Sequence, residues 1–291
     1  MVSIGELYTN VKAILENAGI DTYRFDAQCI MEQAFGTRLP SILTNSTAAA
    51  PENVMNQVRE MVEKRAQGYP LQYILGEWEF YGYTFRVGEG VLIPRPDTET
   101  LVEQVLDICR ENQLKAPRIA DLCSGSGCIA VTLKKELPDA EIYAVELSEK
   151  ALPYLRENAR LNEVHINIIG GDVLSGQTAA GLCGLDIIVS NPPYLTGKDM
   201  TMLQTEVSHE PQMALMGGGD GLDFYRTITP LWRNSLRDGG FIAYEFGLNQ
   251  DEAVSSILKE NGFDNIQLRQ DTAGIIRTAA GRKITEEMHN G

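Results

Sequence analysis

Near the middle of the chain the sequence reads Ile119-Ala120-Asp121-Leu122-Cys123-Ser124-Gly125-Ser126-Gly127-Cys128. The apolar start of this stretch predicts a buried strand, and the glycines after it predict a tight turn into a helix. Glycine lets the backbone approach a ligand closely, and the first turn of a helix offers free N–H groups. Because strand-to-helix turns in α/β proteins are also glycine-rich for structural reasons alone, the loop by itself leaves both interpretations open.

Strands and helices alternate on the C-terminal side of this loop. Apolar runs predict strands at 119–122, 142–145, 166–169, 187–189, 241–244, 266–268 and 275–276. Helical stretches lie between most of them, at 127–137, 149–161, 222–236 and 250–261. This alternation predicts an α/β domain with a mainly parallel sheet, and the short connection between the last two runs predicts an antiparallel pair. Residues 195–220 are predicted to form a long loop.

The residues before the glycine loop have two different patterns. Apolar residues at helical spacing predict short helices over residues 1–75, a segment large enough to dock a substrate or partner. Aromatic and β-branched residues around Gly82 predict a β-hairpin. We therefore expect a helical domain at 1–75, a hairpin linker at 76–97 and an α/β domain at 98–291.

Composition excludes several classes of protein. The 291 residues contain 40 Asp and Glu against 25 Lys and Arg, and the resulting net charge of −15 argues against affinity based on neutralising many phosphates. Five scattered cysteines without a Cys-x-x-Cys pair indicate neither a disulfide framework nor a metal site. With no signal-peptide pattern and no apolar run long enough to span a membrane, we expect a cytoplasmic protein that binds neither nucleic acid nor membrane.

Acidic residues stand at the ends of three successive predicted strands. Asp121 ends the first strand, Glu146 the second, and Asp172 with Val173 follows the third. Ligands of open parallel sheets bind at this edge, where Glu146 could accept ribose hydroxyls and Asp172 could face an adenine edge. Three acids would repel a diphosphate but suit a cation, such as the sulfonium of S-adenosylmethionine.

The tetrapeptide Asn191-Pro192-Pro193-Tyr194 follows the fourth strand of this domain. Its two prolines predict a rigid turn that presents two acceptors, the Asn191 side-chain carbonyl and the Pro192 backbone carbonyl. Tyr194 adds an aromatic surface for a planar group. An amide or exocyclic amine nitrogen is a poor nucleophile because its lone pair is delocalised. Acceptors on both N–H bonds would orient that lone pair toward an electrophilic methyl group.

Several further motifs extend over most of the chain. They are Pro70-Leu71-Gln72-Tyr73-Ile74-Leu75-Gly76, Val91-Leu92-Ile93-Pro94-Arg95-Pro96-Asp97-Thr98-Glu99, Gly219-Asp220-Gly221-Leu222-Asp223-Phe224-Tyr225, and Glu245-Phe246-Gly247 with Gln250. Together with the proline-containing tetrapeptide and the glycine loop, they resemble the peptide chain release factor glutamine methyltransferases. The resemblance implies a seven-stranded Rossmann-like S-adenosylmethionine methyltransferase domain, an N-terminal helical-bundle domain and a linking β-hairpin.

The resemblance also implies a reaction and a set of site residues. Family members methylate the side-chain amide nitrogen (N5) of the glutamine in the Gly-Gly-Gln tripeptide of release factors. The implied S-adenosylmethionine-binding residues are Asp121, Cys123, Ser124, Gly125, Ser126, Gly127, Glu146, Asp172, Val173 and Asn191. The implied catalytic and substrate-binding residues are Asn191, Pro192, Pro193 and Tyr194, with Arg95 in a segment that folds against the site. We expect a monomer with release factors as its partners.

The glycine loop departs from the usual family pattern. Cys123 and Ser124 stand where glycine and threonine are commoner. Because cysteine has a Cβ, we expect an ordinary negative φ at Cys123. A reactive thiol is the alternative role for this residue, but no basic residue lies nearby in sequence, and we therefore expect a packed thiol.

Three other functions compete with protein methylation. The acceptor pair also fits adenine N6 or guanine N2, so a nucleic-acid amino-methyltransferase is the first alternative. Gly125-x-Gly127-x-x-Ala130 also fits a nicotinamide-dependent oxidoreductase, although no acid/base group for hydride transfer is evident. A non-catalytic cofactor-binding protein is the third, although the acceptor pair is intact. His165, His209 and His289 are isolated in sequence and predict no histidine–carboxylate site.

Overall fold

A computed structural model describes residues 1–285. The chain divides into two compact units. The helical unit comprises residues 1–77 and 204–209, and the sheet unit comprises residues 78–203 and the described chain from residue 210 onward. No sequence pattern indicated that residues 204–209 belong with the helices.

The helical unit contains five helices. They are α1 (Ile4–Asn17), α2 (Tyr23–Phe35), α3 (Leu39–Leu43), α4 (Glu52–Ala66) and α5 (Leu71–Leu75). Helix α1 begins with a capping box, in which Ser3 and Glu6 each accept from the backbone N–H of the other. Val11, Leu15 and Ile30 are almost fully buried between the helices. The N-terminal helical region expected from sequence is therefore present.

An ion-paired arginine lies inside the helical unit. Arg65 on α4 is 2% exposed and donates to Asp26 of α2 at 2.6 Å and to Glu206 at 2.6 Å. A buried guanidinium without carboxylate partners would be strongly destabilising. This pairing therefore ties residues 204–209 to the helices.

The remaining elements follow in the order expected from the alternating pattern. The strands are β1 (Glu77–Phe80), β2 (Tyr83–Arg86), β3 (Arg118–Leu122), β4 (Glu141–Glu146), β5 (Asn167–Gly170), β6 (Leu185–Ser190), β7 (Leu236–Glu245), β8 (Phe263–Gln270) and β9 (Ile276–Lys283). The helices are α6 (Glu99–Glu111), α7 (Cys128–Glu136), α8 (Ala151–Leu161), α9 (Gly176–Ala180), α10 (Gly197–Met200), α11 (Asp223–Trp232) and α12 (Asp251–Glu260). Strands β1 and β2 pair as the predicted hairpin.

Seven strands form one sheet in the order β5-β4-β3-β6-β7-β9-β8. Strands β3 to β7 are parallel. Strands β8 and β9 are antiparallel, as their short connection predicted, and β9 is also antiparallel to β7. In the register of this sheet, Leu122 lies beside Val145 on one side and Ser190 on the other. The loops after β3, β4 and β6 therefore leave the sheet side by side.

Apolar side chains fill both faces of the sheet. One core packs α6, α7 and α8 against one face and includes Leu101, Val131 and Leu155. The other packs α11 and α12 against the opposite face and includes Trp232 and Leu258. These two layers cover the sheet on both faces.

The segment predicted as a long loop contains short helical turns. Helix α10 begins with a capping box between Thr196 and Asp199, and 3-10 turns follow at 207–209 and 212–214. The prediction of a long loop over 195–220 did not include these turns, although the Thr-x-x-Asp pattern at Thr196 is a capping-box signal. Among the helices of residues 1–285, none is long and apolar enough to traverse a lipid bilayer.

Candidate active site

A cavity opens in the sheet unit at the carboxyl ends of the parallel strands. Its wall includes residues from the glycine loop (Cys123–Gly127), from the ends of β4 and β5, and from the proline turn (Asn191–Tyr194) after β6. Segments 90–95 and 211–214 complete it. Strand order reverses between β3 and β6, and ligands of open α/β sheets bind at such a reversal.

Most of the residues selected from sequence lie on this wall. They are Arg95, Cys123, Ser124, Gly125, Ser126, Glu146, Asp172, Val173, Asn191 and Pro193. Four others form no part of the wall: Asp121, Gly127, Pro192 and Tyr194. The structure therefore brings the glycine loop, two of the three acids and the proline turn around one space.

Glu146 holds the glycine loop in place. One carboxylate oxygen accepts from the backbone N–H of Gly125 at 2.7 Å, and the other accepts from that of Ser148 at 2.6 Å. The Glu146 residue is only 7% exposed. Each carboxylate oxygen has a second lone pair, so Glu146 can hold the loop and still accept from a ligand hydroxyl.

Gly125 and Gly127 of the loop are glycines for different structural reasons. Gly127 has φ of 81°, and a Cβ there would lie 2.3 Å from a methyl carbon of Leu155. Gly125 has φ of 54°, and a Cβ there would meet no atom within 4 Å. Gly127 is thus required for packing α7 against α8, whereas Gly125 leaves open space in which ligand atoms can approach the backbone.

Asp121 lies beneath the loop. It is fully buried, and one carboxylate oxygen accepts from the backbone N–H of Ala130 in α7 at 3.2 Å. The other oxygen has no hydrogen-bond partner among the described residues. Burial raises the pKa of Asp121 to about 8. Its position indicates support of the loop and helix start, because no atom of Asp121 reaches the cavity wall.

The expectation of an ordinary φ at Cys123 is wrong. Its φ is 61°, in the left-handed region that glycine adopts without strain. The loop requires this conformation because the next residue, Ser124, donates its backbone N–H to Val145 and its hydroxyl to the Asp121 carbonyl. Burial, with the nearby charge of Glu146, raises the pKa of the Cys123 thiol far above its ordinary value. The thiol is therefore neutral.

Asp172 and Val173 follow β5 at the far side of the cavity. One carboxylate oxygen of Asp172 accepts from the backbone N–H of Leu174 at 2.9 Å. The Val173 carbonyl accepts from the indole nitrogen of Trp232 at 2.8 Å. These bonds fix the backbone while the second oxygen of Asp172 stays available to an N–H donor.

Asn191 lies on the cavity wall beside a side chain that sequence reasoning did not select. Its side-chain nitrogen donates to the hydroxyl of Thr98 at 3.2 Å. Thr98 is 2% exposed and lies on the same wall. Because the nitrogen end of the amide is directed at Thr98, the carbonyl end of Asn191 remains an acceptor.

Close backbone contacts hold the proline turn. A Cβ at Gly217 would lie 2.5 Å from the Pro193 carbonyl oxygen, and one at Gly221 would lie 2.3 Å from the Tyr194 carbonyl oxygen. The Gln250 side chain donates to that Tyr194 carbonyl at 3.1 Å and accepts from Gly247 at 2.8 Å. The glycine motif 217–221 and Gln250 are thus the physical support of the turn.

Arg95 is paired with a buried carboxylate. Its guanidinium donates to Glu210, which is 4% exposed and also accepts from the backbone N–H of Ile93 at 3.0 Å. Glu210 therefore joins segment 90–95 to segment 211–214, the two outer walls of the cavity. Arg95 is partly exposed at the wall, so it can also contact a substrate.

None of the described histidines lies on the cavity wall. His209 packs its ring against Tyr69 with centroids 5.1 Å apart, and His165 precedes β5. His289 lies outside the described residues. Within residues 1–285, no group of three or more His, Cys, Asp and Glu side chains is arranged to hold a metal ion.

Sequence reasoning missed three residues that organise the site. The sequence motifs contain Thr98 and Glu245 but indicate no role for either, and Glu210 lies outside the motifs. Glu245 could have been selected from sequence, because it directly follows the apolar run of a predicted strand and ligands bind at the carboxyl ends of such strands. Glu210 has no comparable signal.

The seven-stranded sheet, the glycine loop and the adjoining proline turn define a methyltransferase, and the family described as "Methyltransferase small domain" matches residues 97–222. The family described as "PrmC N-terminal domain" matches residues 6–76. The release factor glutamine methyltransferase of Fusobacterium nucleatum subsp. nucleatum is 37% identical over 281 residues, which cover 96% of this chain and 78% of that protein. This chain belongs to the release factor glutamine methyltransferase family.

A further relative and one solved structure show how far the similarity extends. The release factor glutamine methyltransferase of Clostridium acetobutylicum is 37% identical over 268 residues, covering 91% of this chain and 93% of the relative. The 16S rRNA N2 G1207 methyltransferase of T. thermophilus, solved with S-adenosylmethionine and guanosine, matches with a TM-score of 0.52 at 18% identity. That match covers 71% of this chain and 49% of the other, and it shows a shared fold only.

Proposed function

We propose that this chain transfers a methyl group from S-adenosylmethionine to the side-chain amide nitrogen (N5) of the glutamine in the Gly-Gly-Gln tripeptide of peptide chain release factors. The observation that carries the proposal is the orientation of Asn191. Its nitrogen end donates to Thr98, so its carbonyl end can accept from an incoming amide. Membership of the release factor glutamine methyltransferase family supplies the substrate class.

The residues present fit S-adenosylmethionine. Gly125 provides a stretch of backbone without a side chain, and Glu146 provides oxygens for ribose hydroxyls. Asp172 can accept from an adenine amino group across the cavity. When bound, S-adenosylmethionine supplies an electrophilic methyl group on a positively charged sulfur. The acids Glu146 and Asp172 favour that charge, and Arg95 on the wall is already paired with Glu210.

The proline turn would act by orientation rather than by strong base chemistry. The Asn191 carbonyl and the Pro192 backbone carbonyl are each proposed to accept one N–H of the substrate amide. Holding both N–H groups turns the nitrogen lone pair toward the methyl group and favours loss of amide conjugation as the N–C bond forms and the methyl–sulfur bond breaks. The methylated nitrogen then releases one of its two protons to water. Burial raises the pKa of the Tyr194 phenol, so the aromatic ring at the end of the turn is neutral.

Mass spectrometry of a release factor incubated with this chain and S-adenosylmethionine tests the proposal. We expect one added methyl group on the peptide that contains Gly-Gly-Gln, and none when asparagine replaces its glutamine. Duplex DNA and ribosomal RNA, assayed in parallel with labelled methyl donor, should stay unlabelled. Label on nucleic acid with an unmodified release factor would replace the proposal with exocyclic-amine methylation.

A further inference from the structure

Glu245 is a buried carboxylate next to the proline turn. It is the last residue of β7, in register with Thr278 of β9, and it is 2% exposed. One of its carboxylate oxygens has no hydrogen-bond partner among the described residues. Its backbone carbonyl accepts from the hydroxyl of Tyr225 at 2.8 Å, which fixes the strand end. A buried carboxylate costs free energy, so a compensating role is expected at this position.

Ser190 of β6 is in register with Tyr244 of β7, so Asn191 and Glu245 follow their strands side by side. Hydrogen bonding from Thr98 and, to a smaller extent, from Asn191 lowers the pKa of the Glu245 carboxyl. Asn191 in turn donates to the Thr98 hydroxyl. Glu245, Thr98 and Asn191 therefore form one polar group at the meeting point of β7, the turn before α6 and the turn after β6. Of these three, Thr98 and Asn191 reach the cavity wall.

Thr98 alone cannot determine which way the Asn191 amide points. A hydroxyl can accept from the amide nitrogen or donate to the amide oxygen, and the two orientations have nearly the same shape. A carboxylate, in contrast, only accepts. When Glu245 is ionised, Thr98 donates to it and is left as an acceptor toward Asn191. The Asn191 nitrogen then faces Thr98, and its oxygen is free for the substrate.

We propose that ionised Glu245 is a positioning residue that acts through Thr98 to hold Asn191 with its carbonyl oxygen available to the substrate amide. This role rests on the proposed function of the proline turn. A protonated Glu245 would donate instead, the Thr98 hydroxyl could reverse, and the Asn191 amide could turn its nitrogen to the substrate. Two N–H donors would then face each other, and binding geometry for methyl transfer would be lost.

The titration of Glu245 predicts the direction in which activity changes with pH. Burial raises its pKa to about 7, partly opposed by hydrogen bonding from Thr98, while Asp97 raises it further and Arg277 lowers it. Other titratable groups that face it are Tyr194, Tyr225 and Cys128. The pKa values of these three groups are raised, so they stay neutral near pH 7. The competent carboxylate form is therefore populated above about pH 7 and lost as the pH falls through that value.

The test measures kcat and KM for release factor against pH in wild type, Glu245→Gln and Thr98→Val. We expect wild-type kcat to fall below about pH 7. In both variants kcat should drop by about 10- to 100-fold at high pH, and its acid limb should disappear. The KM for S-adenosylmethionine should change less than about twofold. Glu260→Gln, which changes an exposed carboxylate at the end of α12, is the matched control and should retain the wild-type profile.

The outcomes separate this role from the proposed function. If wild type does not methylate release factor, the proposed function itself fails. If wild type is active and Glu245→Gln keeps the same acid limb or the full kcat, Glu245 has no positioning role. Because glutamine and valine nearly match the shapes they replace, both variants should fold, and thermal unfolding of each confirms that they do.

Discussion

The glycine loop and the proline turn leave neighbouring strands β3 and β6, yet different parts of the chain hold them. The loop depends on the next strand, because Gly125 bonds to Glu146 only 21 residues away. The turn depends on distant residues, because Asn191 bonds to Thr98 across 93 residues and Tyr194 bonds to Gln250 across 56. Changes at the loop should therefore act on cofactor affinity, and changes at the turn or its supports should act on turnover.

The largest effect should come from Asn191→Ala. Removing one of two acceptors for the substrate amide should lower kcat by about 10²- to 10³-fold, as loss of a preorganised polar group does in other sites. The dissociation constant for S-adenosylmethionine, measured by calorimetry, should change little because the loop and Glu146 are intact. Near wild-type turnover would show that the turn does not orient the amide.

The next largest effect is expected from Gly217→Ala, because Gly217 contacts the proline turn from a separate segment of the chain. In Gly217→Ala, the new Cβ would lie 2.5 Å from the Pro193 oxygen and 2.6 Å from the Tyr194 Cα. The turn must shift, so kcat should fall by about 10²-fold and the free energy of unfolding by about 1–3 kcal/mol. Gly219→Ala is the matched control, since a Cβ there meets no atom within 4 Å. Equal losses of kcat and stability in the two variants would show that the close contact of Gly217 with the proline turn is not the cause.

The loop half of the comparison is tested by Glu146→Ala. Loss of a charged acceptor should weaken S-adenosylmethionine binding by about 1–3 kcal/mol, while kcat at saturating cofactor stays within a few-fold of wild type. Glu149→Ala removes an exposed carboxylate three residues away and should leave the affinity unchanged. A reduced kcat with unaltered cofactor affinity would show that Glu146 acts on turnover rather than on cofactor binding.

The fold and the two motifs could be predicted from sequence because their signals are local. Apolar runs mark β3, β4 and β6, and glycine or proline residues mark the turns that follow them. The residues that hold these two motifs in place could not be predicted from local signals. Thr98, Glu210 and Glu245 reach the site only through the register of the sheet and the path of residues 195–222, which depend on packing of the whole unit. A monomeric state, a cytoplasmic location and the absence of nucleic-acid binding stay predictions.

The predicted φ of Cys123 was wrong although it rested on a local signal. The preference of a residue with a Cβ for negative φ was overridden by the hydrogen bonds that close the loop. The left-handed conformation costs a residue with a Cβ about 1–2 kcal/mol, whereas glycine loses more entropy on folding by about 0.4–1 kcal/mol. Cys123→Gly should therefore be more stable than Cys123→Ala by about 0.5–1 kcal/mol. Both variants lack the thiol, so denaturant unfolding of the pair isolates the backbone. An alanine variant as stable as the glycine variant would show that the loop relaxes to a negative φ.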